Sequence, residues 1–408
     1  MRILISGASV AGPVLAWWLA RYGFQPTVVE RSPTVRKTGG HAVDLFRPAM
    51  DIVERMGVLA RIEAKKTGTE WLTLQRAGVD RRIEVNIGRL VHAMSDRHVE
   101  IMRDDLTEIF HDATRDTVEY VFGDSIAALA EDAGGVDVTF ERGTPRRFDL
   151  VIGADGLHSN VRRLVFGDER RFSHWIGAYL AVMTLPNYLG LKDRSMVFSD
   201  VGRMAALYSG QNMDDARALF LFRTPRELDV HYRDVAGQKQ VLRETFAGLG
   251  GEVPHLLSEL DRAPAFYFDS ITQLRMDTWS RGRVTLAGDA GYSPGPAVGG
   301  STSLAIVGAY VLAGELAAAG GDHVRGFQAY ERELGDYVRR SRTFALSAAR
   351  NIVAGSRFQL WALAQTLWLI SHVPTGMTRA VARLSSKGLF LHDSIVLKDY
   401  AQQARIAA

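Results

Sequence analysis

A glycine-rich turn near the start of the chain constrains the fold more strongly than any other feature. The short apolar run Ile3-Leu4-Ile5 leads into Gly7-Ala8-Ser9-Val10-Ala11-Gly12, and a helix with an apolar stripe follows. Gly7 permits a tight turn out of a strand, and Gly12 lets the helix pack close to the sheet. Free N–H groups at the start of such a helix can bind phosphate. The pattern therefore predicts a dinucleotide-binding strand–turn–helix, with Ser9 at the place of the middle glycine.

The second strand of this unit ends in a carboxylate. Thr27-Val28-Val29 leads to Glu30. A carboxylate at this point accepts hydrogen bonds from ribose hydroxyls and repels a 2′-phosphate. We expect Glu30 to contact the ribose of an adenosine that lacks a 2′-phosphate, although an ordinary strand–turn–helix without a nucleotide is the alternative.

Composition excludes several classes of protein. The 408 residues predict two or three domains. The 49 basic and 46 acidic residues leave a net charge of +3, which does not favour a nucleic-acid partner. The absence of cysteine excludes disulfides, thiolate catalysis and cysteine-ligated metals, and we expect no metal site. No segment is typical of a targeting peptide or a membrane span, so the expected location is the cytoplasm.

The middle of the chain has a different texture from its two ends. Two strand-like runs, 71–76 and 82–87, flank a turn and predict a hairpin. From 173 to 277, several strands with few helices between them predict an antiparallel sheet. The regions expected to be helical are Pro48–Met56, Val99–Phe110, Lys239–Leu249, Pro254–Leu260 and Thr302–Ala319.

Two further motifs place an aspartate just after a short buried strand. One runs from Asp149 to Arg162 and contains Asp155-Gly156; the other runs from Gly282 to Ala290 and contains Asp289. Open α/β sheets bind ligands at this end of their strands. Each motif alone could be a loop closed by an Asx turn, but all three motifs together favour a common ligand.

In this order and spacing, the three motifs resemble those of class A FAD-dependent monooxygenases, the group of para-hydroxybenzoate hydroxylase. The stretch Gly39-Gly40-His41-Ala42-Val43-Asp44-Leu45 is similar to that of the tetracycline- and polyketide-modifying members. The resemblance implies an α/β fold with a discontinuous, three-layer Rossmann-type FAD-binding domain. It also implies an inserted α+β substrate domain on an antiparallel sheet and a C-terminal helix. The implied boundaries are 1–70, 96–172 and 278–350 for FAD binding, 71–95 and 173–277 for the substrate domain, and 351–408 for a C-terminal helical segment.

The resemblance also implies roles for individual residues. Gly7, Ser9, Ala11 and Gly12 would hold the FAD pyrophosphate, and Glu30 the adenosine ribose. Arg103 would lie beside the phosphates and ribityl chain, Asp289 would bond the ribityl chain, and Asp155-Gly156 would meet both FAD and a transient NAD(P)H. The less specific transfers are Arg31 near the adenine, Arg36 at the nicotinamide coenzyme, Asp44 near the flavin ring, and Gly299 and Gly300 at the helix N-terminus that faces it.

Catalysis in this family depends mainly on positioning, because FAD carries the chemistry. Tyr292, Pro294 and Pro296 would shape the oxygen site. Where the family usually has Ala-His, Asn and Asp-Ala, this chain has Gly291-Tyr292, Ser303 and Gly308-Ala309. Aromatic and methionine residues of the predicted strands are candidates to line the substrate pocket, with plain sheet core as the alternative for each: Tyr179, Met183, Met196, Phe198, Met204, Tyr208, Phe220 and Phe222.

The region from Phe358 to Ile370, with Trp361 and Trp368, is apolar nearly all round. We expect a helix buried between the domains and capping the pocket. A membrane-interfacial helix or a dimer surface is the alternative.

The function implied is a cytoplasmic monooxygenase, monomeric or homodimeric. It would use NAD(P)H and O₂ to hydroxylate an aromatic or polyketide-like small molecule through a flavin C4a-hydroperoxide. A flavin-dependent reductase or dehydrogenase of the same fold, and a non-catalytic flavin- or ligand-binding protein, are the alternatives.

Overall fold

The computed structural model describes residues 1–35, 39–88, 97–231, 233–295, 300–372 and 395–400. Within these residues the strands are β1 (Arg2–Ser6), β2 (Gln25–Glu30), β3 (Ala42–Phe46), β4 (Trp71–Arg76), β5 (Ile83–Asn86), β6 (His98–Met102), β7 (Glu119–Phe122), β8 (Ile126–Asp132), β9 (Gly135–Phe140), β10 (Arg146–Phe148), β11 (Leu150–Gly153), β12 (Ser173–Pro186), β13 (Arg194–Asp200), β14 (Arg203–Ser209), β15 (Asp215–Arg223), β16 (Phe266–Leu274), β17 (Ser280–Arg281) and β18 (Val284–Leu286).

The helices of the same residues are α1 (Ala11–Arg21), α2 (Arg47–Arg55), α3 (Leu59–Ala64), α4 (Arg103–Asp112), α5 (Asn160–Phe166), α6 (Val235–Phe246), α7 (Val253–Glu259), α8 (Asp289–Tyr292), α9 (Ser301–Ala318), α10 (His323–Ile352) and α11 (Arg357–His372), with a 3₁₀ turn at Glu169–Arg171.

A six-stranded sheet in the order β17-β18-β11-β1-β2-β7 forms the first unit. All of its pairs are parallel except the terminal β17–β18 hairpin. Ser6 lies beside Gly153, and Gly153 beside Leu286. The carboxyl ends of β1, β11 and β18, which precede the three motifs, are therefore neighbours at one edge. The predicted α/β class is confirmed.

The second large sheet has seven strands in the order β16-β12-β15-β14-β13-β4-β5. Its pairs are antiparallel except that β13 runs parallel to β4. The β4–β5 hairpin thus joins strands that follow it by more than a hundred residues. Helices α6 and α7 cover one face of this sheet through Leu242, Phe246 and Leu256.

The prediction of a single helix over Val99–Phe110 was wrong. Residues 98–102 form β6, which pairs antiparallel with β3 and places Glu100 opposite Asp44. Val99 and Ile101 are buried while His98 and Glu100 are less so. This alternation has the period of a strand, and the helix starts only at Arg103. The three-stranded sheet β10-β9-β8 was not predicted either.

Helix α9 is long and apolar enough to cross a membrane, but 78% of that stretch is buried inside the protein. It packs against α1 and α10, as a core helix does. The short segment 395–400 lies against it: the Tyr400 ring occupies the space that Gly314 leaves open. The Tyr400 hydroxyl and the Lys398 ammonium each donate to Glu315 at 2.8 Å.

Helix α11 is buried on one side only. Leu360 and Ala364 are 7% and 0% exposed, and the helix packs against β5 and β13. Phe358 and Trp361 remain 73% and 50% exposed. The expectation of a helix buried between the domains was therefore wrong for its outer face.

Candidate cofactor site

The three motifs touch one another. Gly7 has a φ of 109°, and a Cβ at Gly7 would lie 2.4 Å from the carbonyl oxygen of Ala154. On the other side, a Cβ at Gly288 would lie 3.2 Å from Cβ of Ala11. Backbone hydrogen bonds of 2.8 Å run from the Ala154 N–H to the Ser6 carbonyl and from the Ala287 N–H to the Gly153 carbonyl. The site expected from the sequence thus has its three backbone segments in one place.

The first turn is as compact as its glycines predict. A Cβ at Gly12 would lie 1.9 Å from the carbonyl oxygen of Gly7, so no larger residue fits there without moving the backbone. Val10, the residue before α1, makes no side-chain capping bond, and the first turn of α1 carries no acidic residue. The N–H groups of that turn therefore remain available to a phosphate.

The Glu30 side chain is hydrogen-bonded to the backbone of the glycine-rich turn. Its carboxylate accepts the backbone N–H of Ala8 at 2.9 Å and that of Ser32 at 2.8 Å. Carboxylate oxygens carry about four lone-pair sites, so acceptor capacity remains for ribose hydroxyls. This bracing of the turn was not expected from the sequence.

Arg103 reaches the turn from another element. It starts α4, its backbone N–H donates to the His41 carbonyl at 3.1 Å, and its guanidinium donates to the Ser9 hydroxyl at 3.0 Å. Burial, and then the nearby Arg103 charge, lower the pKa of His41 to about 4. A neutral imidazole and a cation therefore face the same interior region.

Asp289 starts α8 at the end of the third motif. Burial raises the pKa of its carboxyl group, while Arg103 and a hydrogen bond from Ser293 oppose the rise. Five side chains of this region are only partly buried: Ser9, His41, Arg103, Tyr267 and Asp289. We infer that they border the space that a cofactor would occupy.

Asp155 is committed to its own loop. Its carboxylate accepts from the Ser159 hydroxyl at 2.5 Å and from the backbone N–H groups of Asn160 and Val161 at 2.9 and 3.1 Å. It therefore stabilises the start of α5, as the Asx-turn alternative expected. Gly156, with a φ of 82°, follows at the edge of the site.

The remaining predicted cofactor residues have varied surroundings. Arg31 is exposed after β2. Asp44 pairs with His98 at 2.7 Å on the two-stranded β3–β6 sheet.

Gly300 has a left-handed backbone at the start of α9. In the first turn of that helix, the Ser303 hydroxyl accepts from the Phe46 N–H at 3.0 Å and donates to the Asp44 carbonyl at 3.1 Å. Arg36, Pro296 and Gly299 lie outside the described residues.

Tyr292 does not line the site, so its predicted role at the oxygen site was wrong. Its side chain is fully buried, its hydroxyl lies 3.0 Å from that of Tyr330, and its ring packs against Trp279. A tyrosine fits there because Gly308 leaves room for its hydroxyl. Pro294 is buried beside the seven-stranded sheet, and its carbonyl accepts from Gln273 at 3.1 Å.

Most of the predicted pocket residues are sheet core. Side chains alternate between the faces of a strand, and six of the eight pack with α6 and α7 on the face away from the cofactor site: Tyr179, Met183, Met196, Phe198, Phe220 and Phe222. That prediction was wrong for these six. Met204 and Tyr208 lie on the opposite face, where the Tyr208 hydroxyl accepts the Ala42 N–H at 3.1 Å.

Two residues on that opposite face were missed. Arg217 is buried, donates to the Gly40 carbonyl at 3.1 Å and pairs with Asp215 at 2.7 Å. Tyr267 lies close enough to Arg103 and Asp289 for their charges to act on it. Strand alternation could have grouped them with Tyr208, but only the packing of α6 and α7 identifies which face is which.

Comparison with known proteins decides the family. The FAD binding domain family matches residues 1–351. The chain belongs to this family. It is 38% identical over 355 residues to a flavin-dependent monooxygenase of Legionella longbeachae, covering 85% of this chain and 88% of the relative. The crystal structure of tetracycline destructase Tet(55) is 36% identical, has a TM-score of 0.79 and covers 93% and 96% of the two chains. That of Tet(51) is 32% identical, with a TM-score of 0.82 and coverage of 98% and 99%.

The protein is thus a flavin-dependent monooxygenase that binds FAD, and its described residues fit that cofactor. The uncapped turn at α1 suits a pyrophosphate, Glu30 and Asp289 offer acceptors for ribose and ribityl hydroxyls, and Arg103 offers a cation. Ser9 replaces the middle glycine without filling the turn, because its hydroxyl is directed to Arg103.

Proposed function

We propose that this monooxygenase uses NAD(P)H and O₂ to hydroxylate an aromatic or polyketide-like small molecule. The convergence of Gly7, Asp155 and Asp289 beneath a sheet face that presents Tyr208, Arg217 and Tyr267 carries this proposal. Bound FAD would supply the redox chemistry that activates O₂; the protein's part is to bind and orient the reactants and to exclude water.

On the cofactor side, the N-terminal turn of α1 and Arg103 bind the pyrophosphate. Asp289 accepts a ribityl hydroxyl, and Glu30 the adenosine ribose. Because the Asp155 carboxylate is already used by its own loop, the backbone at Gly156 makes the contact with the nicotinamide coenzyme.

On the substrate side, the buried guanidinium of Arg217 offers donors, and the hydroxyls of Tyr208 and Tyr267 add polar oxygens, among apolar neighbours such as Leu180 and Ile271. Small-molecule sites have this character, with a few polar groups in an apolar wall. A fused-ring molecule with phenol and ketone oxygens matches it. The relatives titled tetracycline destructases support tetracyclines as the first compounds to test.

The test begins with the purified holoprotein. We expect a flavin spectrum that bleaches with NADPH or NADH under anaerobic conditions, and coenzyme oxidation in air that tetracycline or a simple phenol accelerates. Mass spectrometry with ¹⁸O₂ should find one labelled oxygen in the product. Coenzyme consumption that yields an unlabelled, reduced product would instead identify a reductase. A flavin that neither coenzyme bleaches would leave a binding protein.

Asp289→Ala and Asp261→Ala make a matched pair for this test. Asp289 lies in the cofactor site, whereas Asp261 is an exposed carboxylate paired with Arg243. Only the first variant should be purified without flavin. A monomer or homodimer in the cytoplasm remains our prediction for the protein's state.

A further inference from the structure

Hydrogen bonds connect the interior of the cofactor site with the protein surface. The Tyr267 hydroxyl donates to Oδ2 of Asp269 at 3.0 Å. Nε2 of His158 lies 3.3 Å from the same oxygen, and its Nδ1 lies 2.9 Å from Oε1 of Glu169. Two segments that are distant in sequence, 158–169 and 267–269, therefore contribute to one continuous chain of polar atoms.

The inner end of this chain is at the cofactor site. Tyr267 and Asp269 are two residues apart on β16, so both project from the face opposite α6 and α7. Tyr267 is close enough to Arg103 and Asp289 for their charges to act on it, and its ring centroid lies 6.4 Å from that of His41.

The outer end is open to water. The side chain of Asp269 is 9% exposed, whereas that of His158 is 36% exposed. Behind His158, the buried guanidinium of Arg162 donates to Glu169 and to the Ala290 carbonyl. The imidazole is therefore held by two carboxylates while part of it still contacts solvent.

The charges of these groups suit proton movement. Burial, reinforced by Asp269, raises the pKa of Tyr267 well above its ordinary value, so its hydroxyl keeps its proton at neutral pH. Although burial opposes it, hydrogen bonding to Asp269 and Glu169 raises the pKa of His158 to about 10. At neutral pH the outer group is thus an imidazolium that donates from both nitrogens, next to a carboxylate and a neutral phenol.

We propose that Tyr267, Asp269 and His158 form a proton relay that delivers a proton from solvent to an oxyanion formed in the cofactor cavity. The hydroxyl proton of Tyr267 passes to the oxyanion, and the Nε2 proton of His158 passes through Oδ2 of Asp269 to the Tyr267 oxygen. Asp269 is again a carboxylate, Tyr267 is again a phenol, and the neutral His158 regains its proton from water. This role deepens the proposed hydroxylation and rests on it.

The competing explanation is a structural clamp, in which the same bonds only fasten β16 to the loop after β11. The relay and the clamp predict different responses to a soluble base when His158 is removed. A relay whose outer imidazole is missing should accept a small soluble base in its place, since His158 is half-exposed. A clamp should not respond to one.

The test uses the FAD-loaded protein and needs no substrate or NAD(P)H, so failure of hydroxylation would not obscure it. In a stopped-flow jump from neutral to alkaline pH, the visible absorbance of bound FAD reports the loss of its ring imide proton. We expect His158→Ala to slow this relaxation by roughly tenfold or more, and added imidazole to restore it. Tyr267→Phe should slow it equally without rescue.

His174→Ala is the matched control, because His174 is an exposed histidine on β12, the strand paired with β16. It should relax as the wild type does. Unchanged relaxation in Tyr267→Phe, or slowing of His158→Ala that imidazole leaves unaltered, overturns the relay. If His158→Ala does not fold, Tyr267→Phe decides alone, since it removes one oxygen atom. A lower unfolding temperature with unchanged kinetics would also overturn the relay and leave the clamp.

Discussion

The Ser9 hydroxyl accepts a hydrogen bond from the Arg103 guanidinium across 3.0 Å, although the two residues are 94 positions apart. This bond fixes the cation beside the phosphate-binding turn. Ser9→Ala should weaken FAD binding about fivefold, since one hydrogen bond is worth about 1 kcal/mol. Arg103→Met should weaken it roughly 30-fold, because a charged donor is worth about 2 kcal/mol. Fluorescence titration of apoprotein with FAD measures both, with the exposed Arg115→Met as control; equal affinities in all three would contradict a role for the pair.

Gly12→Ala should be far more damaging than its size implies. The added Cβ would meet the backbone oxygen of Gly7 at 1.9 Å, where no side chain can move aside. We expect a loss of about 3 kcal/mol of unfolding free energy, at the upper end for overpacking, together with loss of bound flavin. Gly250→Ala has no atom within 4 Å of its Cβ and should behave as the wild type in urea unfolding followed by circular dichroism.

FAD affinity should depend on pH through Asp289. Burial raises the pKa of this carboxyl group, and a ribityl hydroxyl that donates to it favours the ionised form. Affinity should therefore be constant above the raised pKa and fall as the pH drops through it, in a range where an ordinary aspartate is still ionised. Asp289→Asn should bind more weakly and remove that component from the titration; an unaltered pH profile in the variant would count against this assignment.

Tyr292 and Gly308 should be energetically coupled. A Cβ at Gly308 would lie 2.0 Å from the Tyr292 hydroxyl oxygen, within the core. Gly308→Ala should cost about 2 kcal/mol, and adding Tyr292→Phe should recover part of that loss, with a coupling of about 1 kcal/mol in a double-mutant cycle. Strict additivity would mean that the backbone shifts to make room.

The two faces of the seven-stranded sheet should respond differently to substitution. Phe220→Ala removes a ring packed among α6 and α7 and should cost about 3 kcal/mol of stability with an unchanged KM. Tyr208→Phe removes a hydroxyl on the cofactor-facing side and should change KM more than stability. The reverse pattern would place the substrate on the other face.

What the sequence could predict depended on how local the physical constraint was. Gly7 and Gly12 must be small because backbone atoms lie where a Cβ would be, and that requirement is visible in the spacing alone. The positions of Asp155 and Asp289 after short buried strands were also predictable, because each strand is a local run of apolar residues.

The rest required tertiary information. Alternation divides Tyr179 and Phe220 from Leu180 and Leu219, but which set faces a ligand is decided by helices that follow later in the chain. The Arg103–Ser9 hydrogen bond and the contact of His158 with Asp269 join residues far apart in sequence, so a local sequence pattern cannot predict them.

The parallel pairing of β4 with β13 has a consequence for how the protein can be divided. Residues 71–76 are synthesised long before residues 194–199, with which they pair, and until then their backbone groups form an open edge to which other chains can add. The closing loop is long, which slows such non-local pairing. Fragments cut between these two strands should aggregate during expression. In the intact chain, β13 pairs with β4 once both have been translated, and that edge is no longer open.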